Sequence, residues 1–171
     1  MSNKIGNLKS GPPKFESAVF FVSDVERSKN FYVNILDQKI IMDFGRNVGF
    51  EGGFSIWEAD YALNTIFAEN AKDHKIGKNN SEIYFEIENL DEFFDKLKKK
   101  SVEVIHNIRE HPWGQRAFRF YDPDNHIIEI GEPMHNVVIR MYKEGMSIEE
   151  IKKKSLMPIE FIKQIVDNIQ K

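Results

Sequence analysis

The pattern of hydrophobic and polar positions indicates a unit of one strand, one helix and three strands near the start of the chain. Residues 17–22 are rich in β-branched and aromatic side chains, which is typical of a strand. Asp24 is a suitable N-cap for a helix at 25–36 that has one apolar face. The pattern then predicts three more strands, at 39–44, 47–50 and 54–58.

The second half of the chain repeats this order. A strand is predicted at 82–87, and Asn89 with Glu92 three residues later has the spacing of a capping box for a helix at 90–100. Three further strands are predicted, at 101–105, 115–121 and 126–131. Aligning the halves on their helix caps gives an offset of 65 residues, so we interpret the chain as a duplicated βαβββ unit.

The remaining segments divide the chain into an arm, a linker and a tail. Residues 1–14 are predicted to form a flexible arm that ends at two prolines. A linker at 59–80 joins the modules 15–58 and 81–133, and its first part is predicted to be helical. After Pro133 the pattern is purely helical, which predicts a helical extension over 134–171.

Composition and charge exclude several classes of protein. The chain has no cysteine, so it has no disulfide framework, thiolate metal site or cysteine nucleophile. A net charge of −3 argues against a broad nucleic-acid surface. The sequence has no signal-peptide pattern and no apolar run long enough to span a bilayer, so we expect a cytoplasmic protein without membrane contact.

Two segments carry a family likeness: Val22–Tyr32, which reads VSDVERSKNFY, and Phe120–Glu129, which reads FYDPDNHIIE. Together with the repeat, they resemble the vicinal oxygen chelate superfamily of glyoxalases, bleomycin-resistance proteins, fosfomycin-resistance transferases and extradiol dioxygenases. The likeness covers residues 15–133. It implies an α+β fold in which paired βαβββ modules form a curled mixed sheet, a cup with helices on its outside.

The resemblance also implies positions for a metal. The family's three ligand positions correspond to Ser17, Glu82 and Glu129, and a serine is a poor ligand for a divalent ion. Glu82 and Glu129 are therefore the candidate catalytic and metal-binding residues. The candidate ions are Mg²⁺, Mn²⁺, Ni²⁺ and Zn²⁺; without a metal, the two carboxylates could act as a general acid or base.

Alternation along the strands, combined with the family's strand pairing, predicts which side chains line the cup. The candidate ligand-binding residues are Ser17, Phe21, Trp57, Tyr84, His111, Trp113, Gln115, Arg119 and Tyr121. Arg119 either binds a ligand carboxylate or phosphonate or pairs with the nearby glutamates. Trp113 either caps the ligand or closes the core. Asp122, Asp124 and His126 are interpreted as turn residues without a chemical role.

These observations leave three hypotheses for function. The first is a protein that binds a small organic molecule in the cup without a full three-ligand metal site. The second is a metal-dependent enzyme that uses Glu82 and Glu129, either a glyoxalase-like lyase or a transferase or dioxygenase relative. The third is a ligand-responsive regulator, because residues 145–162 resemble a helix–turn–helix; few base-reading side chains lie there, which argues against nucleic acid. Since cups in this superfamily are often completed by a second chain, we expect a homodimer.

Overall fold

A computed structural model describes residues 15–67 and 81–169. The arm predicted at 1–14 and the second part of the linker lie outside these residues. The strands are β1 (Ala18–Val22), β2 (Ile40–Asp43), β3 (Asn47–Phe50), β4 (Phe54–Glu58), β5 (Glu82–Glu86), β6 (Val104–Glu110), β7 (Arg116–Tyr121) and β8 (Ile127–Gly131). The helices are α1 (Val25–Asn34), α2 (Ala59–Phe67), α3 (Leu90–Leu97), α4 (Met134–Lys143), α5 (Ile148–Ser155) and α6 (Ile159–Ile169).

The strands form two four-stranded mixed sheets with matching topology. Their orders are β1-β4-β3-β2 and β5-β8-β7-β6. In each sheet the first and last strands of the module pair in parallel, and the other pairs are antiparallel. The predicted α+β class with two βαβββ modules is confirmed. The two sheets are separate, because no backbone pairing joins β1 to β5 in the part of the chain that the structure describes.

Both modules contribute to one hydrophobic core, and α1 adds Val25, Phe31 and Tyr32 to it. Asp24 caps this helix by accepting a hydrogen bond from the Arg27 amide at 3.0 Å. The helix buries Phe31 and Tyr32; the Tyr32 ring contacts Phe50 of its own module, whereas the Phe31 ring contacts Phe120 of the other. The helix therefore packs against both sheets, with rings at distances typical of favourable aromatic pairs.

The β7–β8 turn forms the polar connection between the modules. Asp122 is 3% exposed and its carboxylate accepts a hydrogen bond from the Tyr32 hydroxyl at 2.9 Å. Burial and the nearby Asp122 charge raise the pKa of Tyr32, so this hydroxyl stays protonated and donates. Asp124 accepts hydrogen bonds from the side chains of Ser23 and Ser28, at the start of α1.

The side chains of this turn have a larger structural role than the sequence pattern indicated. The buried His126 also contacts Asp122, through its ring Nδ1 at 2.9 Å and its backbone amide at 2.8 Å. Asp122, Asp124 and His126 are not only turn residues. They hold the second module against α1 of the first.

Two local predictions around α3 were wrong. The Asn89 side chain makes no capping hydrogen bond within the described residues, so the predicted capping box is absent. The strand predicted at 101–105 is β6, which runs from Val104 to Glu110. Its register against β7 shifts on both sides of His106, although its exposure still alternates along the strand. Most residues after Ile105 are polar, so this half of β6 lacks the β-branched and aromatic side chains that predict a strand.

The last three helices form a second, smaller apolar cluster. Its buried residues are Val137, Val138, Met141, Ile151, Ile162 and Val166. Helix α5 begins with a capping box, because Ser147 accepts from the Glu150 amide while the Glu150 carboxylate accepts from the Ser147 amide. Among residues 15–67 and 81–169, none of the helices is both long and apolar enough to cross a membrane.

The turn provides a test of how the modules are held together. We expect Asp122→Ala to lower the free energy of unfolding by about 3 kcal/mol or more, because it leaves buried donors on Tyr32 and His126 without their acceptor. Urea unfolding followed by circular dichroism measures this loss. Asp95→Ala, which removes an exposed carboxylate paired with Lys98, is the control and should change stability little. Equal losses in both variants would contradict the assignment.

Candidate functional site

The face of the second sheet opposite its core residues, which we call the inner face, carries a row of polar side chains. Tyr84 of β5, Glu129 of β8, Arg119 of β7 and His106 of β6 are successive partners across the strands. Because directly paired residues point to the same face of a sheet, these four side chains lie next to one another. Glu82 is two residues before Tyr84 and therefore belongs to the same face.

Arg119 is the centre of this face. Its Nε donates to Glu82 Oε2 at 2.6 Å, and its Nη2 donates to Glu129 Oε2. Its Nη1 lies 3.3 Å from His106 Nε2. Glu129 is 5% exposed, and a carboxylate at that depth needs a partner that compensates its charge. We call Arg119, Glu82, Glu129 and His106 the Arg119 cluster.

A short loop, residues 111–115, continues the site beyond β6, and we call it the cap loop. The His111 and Trp113 rings stack at 4.3 Å between centroids, with 7° between their planes. Trp113 Nε1 donates to Gln115 Oε1 at 3.1 Å, and Gln115 Nε2 donates to the Tyr84 hydroxyl at 2.7 Å. The cap loop is thus hydrogen-bonded to the polar face of the sheet.

Tyr84 and His111, which lie at the cap loop, are both neutral near pH 7. Burial and the neighbouring Glu86 carboxylate, which accepts from the Tyr84 hydroxyl, raise the pKa of Tyr84 to about 12. Burial and the positive charges of Arg119 and Arg109 lower the pKa of His111. His111 Nε2 is buried and has no hydrogen-bond partner among the described residues. This imidazole therefore has one buried nitrogen whose hydrogen-bonding capacity is unused within the described residues.

The first sheet presents a different, mostly apolar inner face. The Phe21 and Trp57 rings contact edge to face at 6.3 Å. Trp57 also lines a cavity of about 510 Å³ together with Met42, Arg46 and Tyr61, which is within the size range of small-molecule sites. Ser17 Oγ lies 3.2 Å from Ser55 Oγ, so this serine pairs with another hydroxyl.

When residues of the two modules are matched by their positions in the strand pairs, the side chains that differ between the two inner faces can be identified. Ser55 and Gly49 of the first module occupy the places of Glu129 and Arg119 in the second. The next residue in each row is Met42 in the first module and His106 in the second. The same backbone therefore carries small or apolar side chains in one module and ionisable ones in the other.

The structure distributes the candidate residues over three places. Glu82 and Glu129 both contact Arg119. The adjoining contacts are formed by Tyr84, His111, Trp113 and Gln115. Ser17, Phe21 and Trp57 lie on the first sheet. Tyr121 lines a separate cavity with Ser101, Val102 and Asn125 at the β7–β8 turn. Sequence reasoning missed His106, since the strand that carries it was predicted to end one residue earlier.

The residues at the family's metal positions do not fit a metal. Ser17 is hydrogen-bonded to Ser55 and to the Ala18 carbonyl, whereas Glu82 and Glu129 both pair with a cation, Arg119. No group of three or more His, Asp or Glu side chains in the described ranges is arranged to hold an ion. A guanidinium and a divalent cation would compete for the same carboxylate oxygens.

The helical extension is hydrogen-bonded to the cap loop through Arg140 of α4. Arg140 of α4 donates through Nη2 to the Gly114 carbonyl at 2.6 Å and to Glu132 Oε1 at 2.7 Å. The Glu132 carbonyl in turn accepts from Gln115 Nε2 at 2.9 Å. Gly114 has a φ of +86°, and a Cβ placed there would lie 1.9 Å from Met141 Cε. Only glycine combines this backbone conformation with such a close approach.

Comparison with known proteins identifies one matching family model and several solved structures with a related fold. The family model of the glyoxalase-like domain matches residues 15–135. The crystal structure of a protein of unknown function from Agrobacterium tumefaciens str. C58 is 41% identical and superposes with a TM-score of 0.65; the match covers 74% of this chain and 99% of that one.

Two more distant structures share the fold alone. A lactoylglutathione lyase from Agrobacterium tumefaciens is 18% identical with a TM-score of 0.56, over 71% of this chain and 96% of that one. The fosfomycin resistance protein FosX from Mesorhizobium loti is 20% identical with a TM-score of 0.50, over 68% of this chain and 89% of that one.

The contact between the cap loop and α4 can be tested with paired glycine variants. Gly114→Ala and Gly145→Ala both place a side chain at a φ near +90°, but a Cβ at Gly145 has no described atom within 4 Å. We expect Gly145→Ala to cost about 1 kcal/mol and Gly114→Ala roughly 1 to 3 kcal/mol more, from overpacking against Met141. Urea unfolding measures the difference. A shift of Trp113 fluorescence in a Trp57→Phe background should accompany Gly114→Ala alone. Equal costs would show that the cap loop is not packed on α4.

Proposed function

The chain belongs to the glyoxalase-like domain family, and from that premise we propose that it binds a small organic molecule between the inner faces of its two sheets. In this proposal, residues 15–133 are the binding domain and residues 134–171 are an extension that packs on it. The polar contacts come from Arg119, Tyr84, His111, Gln115 and Trp113. The apolar contacts come from Phe21 and Trp57.

The bridging position of Arg119 is the observation that carries this proposal. Its contact with Glu129 is buried, whereas the Glu82 side chain is 38% exposed. A ligand carboxylate or phosphonate can therefore replace Glu82 while Glu129 keeps its partner, since the released carboxylate turns into water. The planar guanidinium suits such oxyanions because it donates two parallel hydrogen bonds.

The surroundings of Arg119 support the same role. The unsatisfied His111 Nε2 and the Trp113 edge lie beside the polar face, and a few directed polar groups among aromatic walls are usual in small-molecule sites. The aromatic wall of Phe21 and Trp57 provides the complementary surface for the ligand's carbon skeleton. Neither role requires a metal ion.

A second candidate is a metal-dependent lyase or transferase that uses Glu82 and Glu129. One observation favours it: the two carboxylates converge on a single point, the Arg119 guanidinium. For a metal to bind there, Arg119 would first have to leave. We therefore rank this candidate below the binding function.

We further propose that the protein forms a homodimer in the cytoplasm. Along the edge strand β2, Ile41 is 70% exposed, and Phe44 just beyond it is 73% exposed. Adjacent exposed apolar side chains are typical of surfaces that bind another protein, and a second copy is the occupant expected from the superfamily. The cytoplasmic location is a proposal from the sequence pattern.

The binding function predicts a thermal shift that depends on Arg119. Small carboxylic and phosphonic acids, screened beside their neutral amides and esters, should include an acid that raises Tm. At 100 times its Kd such an acid adds about 2.7 kcal/mol, roughly 5 to 10 °C for a chain of this size. Arg119→Lys, which keeps the charge but loses the paired donors, should weaken the shift, and Trp113→Ala should weaken it as well.

The matched control is Arg116→Lys, on the same strand and paired with Asp91 outside the site. It should leave the shift unchanged. An acid whose shift is insensitive to Arg119→Lys would contradict the proposed position of the ligand. A stoichiometric metal in the purified protein that is lost in Glu129→Gln would favour the metalloenzyme instead.

A further inference from the structure

We infer that Arg140 is a positioning residue for the proposed ligand site: through it, the helical extension fixes the cap loop beside the polar face of the second sheet. Arg140 lies beyond residues 15–135, which match the family model, so this role belongs to the part of the chain that is added to the family domain. The effect on a ligand rests on the proposed binding function. The position of the cap loop does not depend on a ligand, so it can be measured without one.

One guanidinium connects α4 to the cap loop and to the chain on both sides of it. Nη2 of Arg140 donates to the Gly114 carbonyl at 2.6 Å and to Glu132 Oε1 at 2.7 Å. Nη1 donates at 3.2 Å to Glu110 Oε2, in the last residue of β6. Glu132 Oε1 also accepts from the amide of Arg116, the first residue of β7, at 2.9 Å. The Arg140 side chain is 27% exposed, so these charge-assisted hydrogen bonds are partly shielded from water.

The packed position of the loop leaves two buried nitrogen atoms without partners. His111 Nε2 and Arg140 Nε are both buried and make no hydrogen bond among the described residues. A buried polar atom in this state has lost the hydrogen bond that water would give it. The packed position therefore carries a cost, and the three hydrogen bonds of the Arg140 guanidinium offset it.

The internal repeat contains an equivalent of the cap loop. In the second module, the Glu132 amide donates to the Arg116 carbonyl at 3.0 Å, next to the cap loop. In the first module, the Glu58 amide donates to the Arg46 carbonyl at 2.8 Å, next to the turn between β2 and β3. The β2–β3 turn therefore corresponds to the cap loop, and Glu58 corresponds to Glu132.

Within the described residues, the β2–β3 turn lacks a contact like that of Arg140. Glu58 Oε2 is buried and makes no hydrogen bond there; it lies 3.3 Å from Nε of Arg46, whose side chain is 63% exposed. A Cβ at Gly45 in this turn would have no described atom within 4 Å, whereas one at Gly114 would overlap Met141. Because the same strand pairing forms without such a contact, the fold does not depend on it. We therefore assign the contact in the second module to the site.

The cap loop places several ligand contacts of the proposed site at once. It carries the stacked His111 and Trp113 rings, and Gln115 donates from it to the Tyr84 hydroxyl. A group that is already held in its bound position loses less conformational entropy when a ligand binds. Fixing the loop should therefore strengthen ligand binding, although Arg140 itself need not touch the ligand.

Acrylamide quenching of tryptophan fluorescence tests the position of the loop without a ligand. In a Trp57→Phe background, Trp113 is the only tryptophan, and its quenching constant reports the exposure of the cap loop. We expect Arg140→Ala to raise this constant at least about twofold and to make amide exchange at 111–115 at least about 10-fold faster. Amide exchange in α6 should stay unchanged, which a general loosening of the extension would not allow.

Lys143→Ala is the matched control, since it removes an exposed cation from the same helix and should leave both measurements unchanged. Arg140→Lys is the second variant. It keeps a positive charge beside Glu132 and Glu110 but loses the planar group that reaches three acceptors. We expect it to stay folded and to give a quenching constant between those of Lys143→Ala and Arg140→Ala. If Arg140→Ala unfolds, the quenching constant of Arg140→Lys decides the question.

An acid found in the thermal-shift screen tests the effect on the ligand. By isothermal titration calorimetry, Arg140→Lys should bind this acid at least about threefold more weakly than the unaltered protein, because the loop must then be ordered on binding. Lys143→Ala should bind it as tightly as the unaltered protein. If no acid binds the unaltered protein, the proposed function fails, whereas the quenching result still decides the position of the loop.

Three results would overturn the inference. One is a quenching constant in the Arg140 variants equal to that of Lys143→Ala. Another is amide exchange that becomes faster in α6 by the same factor as in the cap loop, since Arg140 would then have a general structural role. The third is an acid that binds the Arg140 variants as tightly as the unaltered protein although their cap loop is more exposed.

Discussion

The contact between the β7–β8 turn and helix α1 is the constraint on which the rest of the structure depends. The two sheets share no backbone hydrogen bonds in the described residues, so their relative position depends on side chains. Asp122 and Asp124 supply the polar part of that contact and the aromatic core supplies the apolar part. Because buried carboxylates are costly unless fully hydrogen-bonded, they specify one docking geometry and disfavour others. That geometry fixes the position of the second sheet relative to α1 of the first module.

How well the sequence predicts each feature depends on how far apart in the sequence the interacting residues lie. Helix and strand periodicity are local, so the duplicated unit and the fold class could be predicted. Asp24 caps α1 as expected, since this cap involves only a few neighbouring residues. The contact of Arg119 with both glutamates was one of two alternatives, since pairing is decided by strands far apart in sequence. His106 was missed because the second half of β6 is mostly polar and lacks the β-branched and aromatic residues that predict a strand.

The two modules of the duplicated architecture have inner faces of different character: one has small side chains and the other has charged ones. One inner face keeps Gly49 and Ser55, which leave space, while the other fills the corresponding positions with Arg119 and Glu129. An internal repeat allows this because each half retains its strand pairing when inner-face residues change. Buried charges are therefore concentrated in one module, where each has a partner, and the other module is free to provide shape and apolar surface.

The link from Arg140 to the cap loop makes the helical extension part of the energetics of the site. About a quarter of this chain has no counterpart in the 41% identical relative, so this fold does not need every segment found here. Since Arg140 bonds to both Gly114 and Glu132, any event that orders the cap loop also orders α4. Thermodynamic linkage is reciprocal: whatever stabilises the helices also stabilises the cap loop, and stabilising the cap loop lowers the equilibrium population of the opened helices.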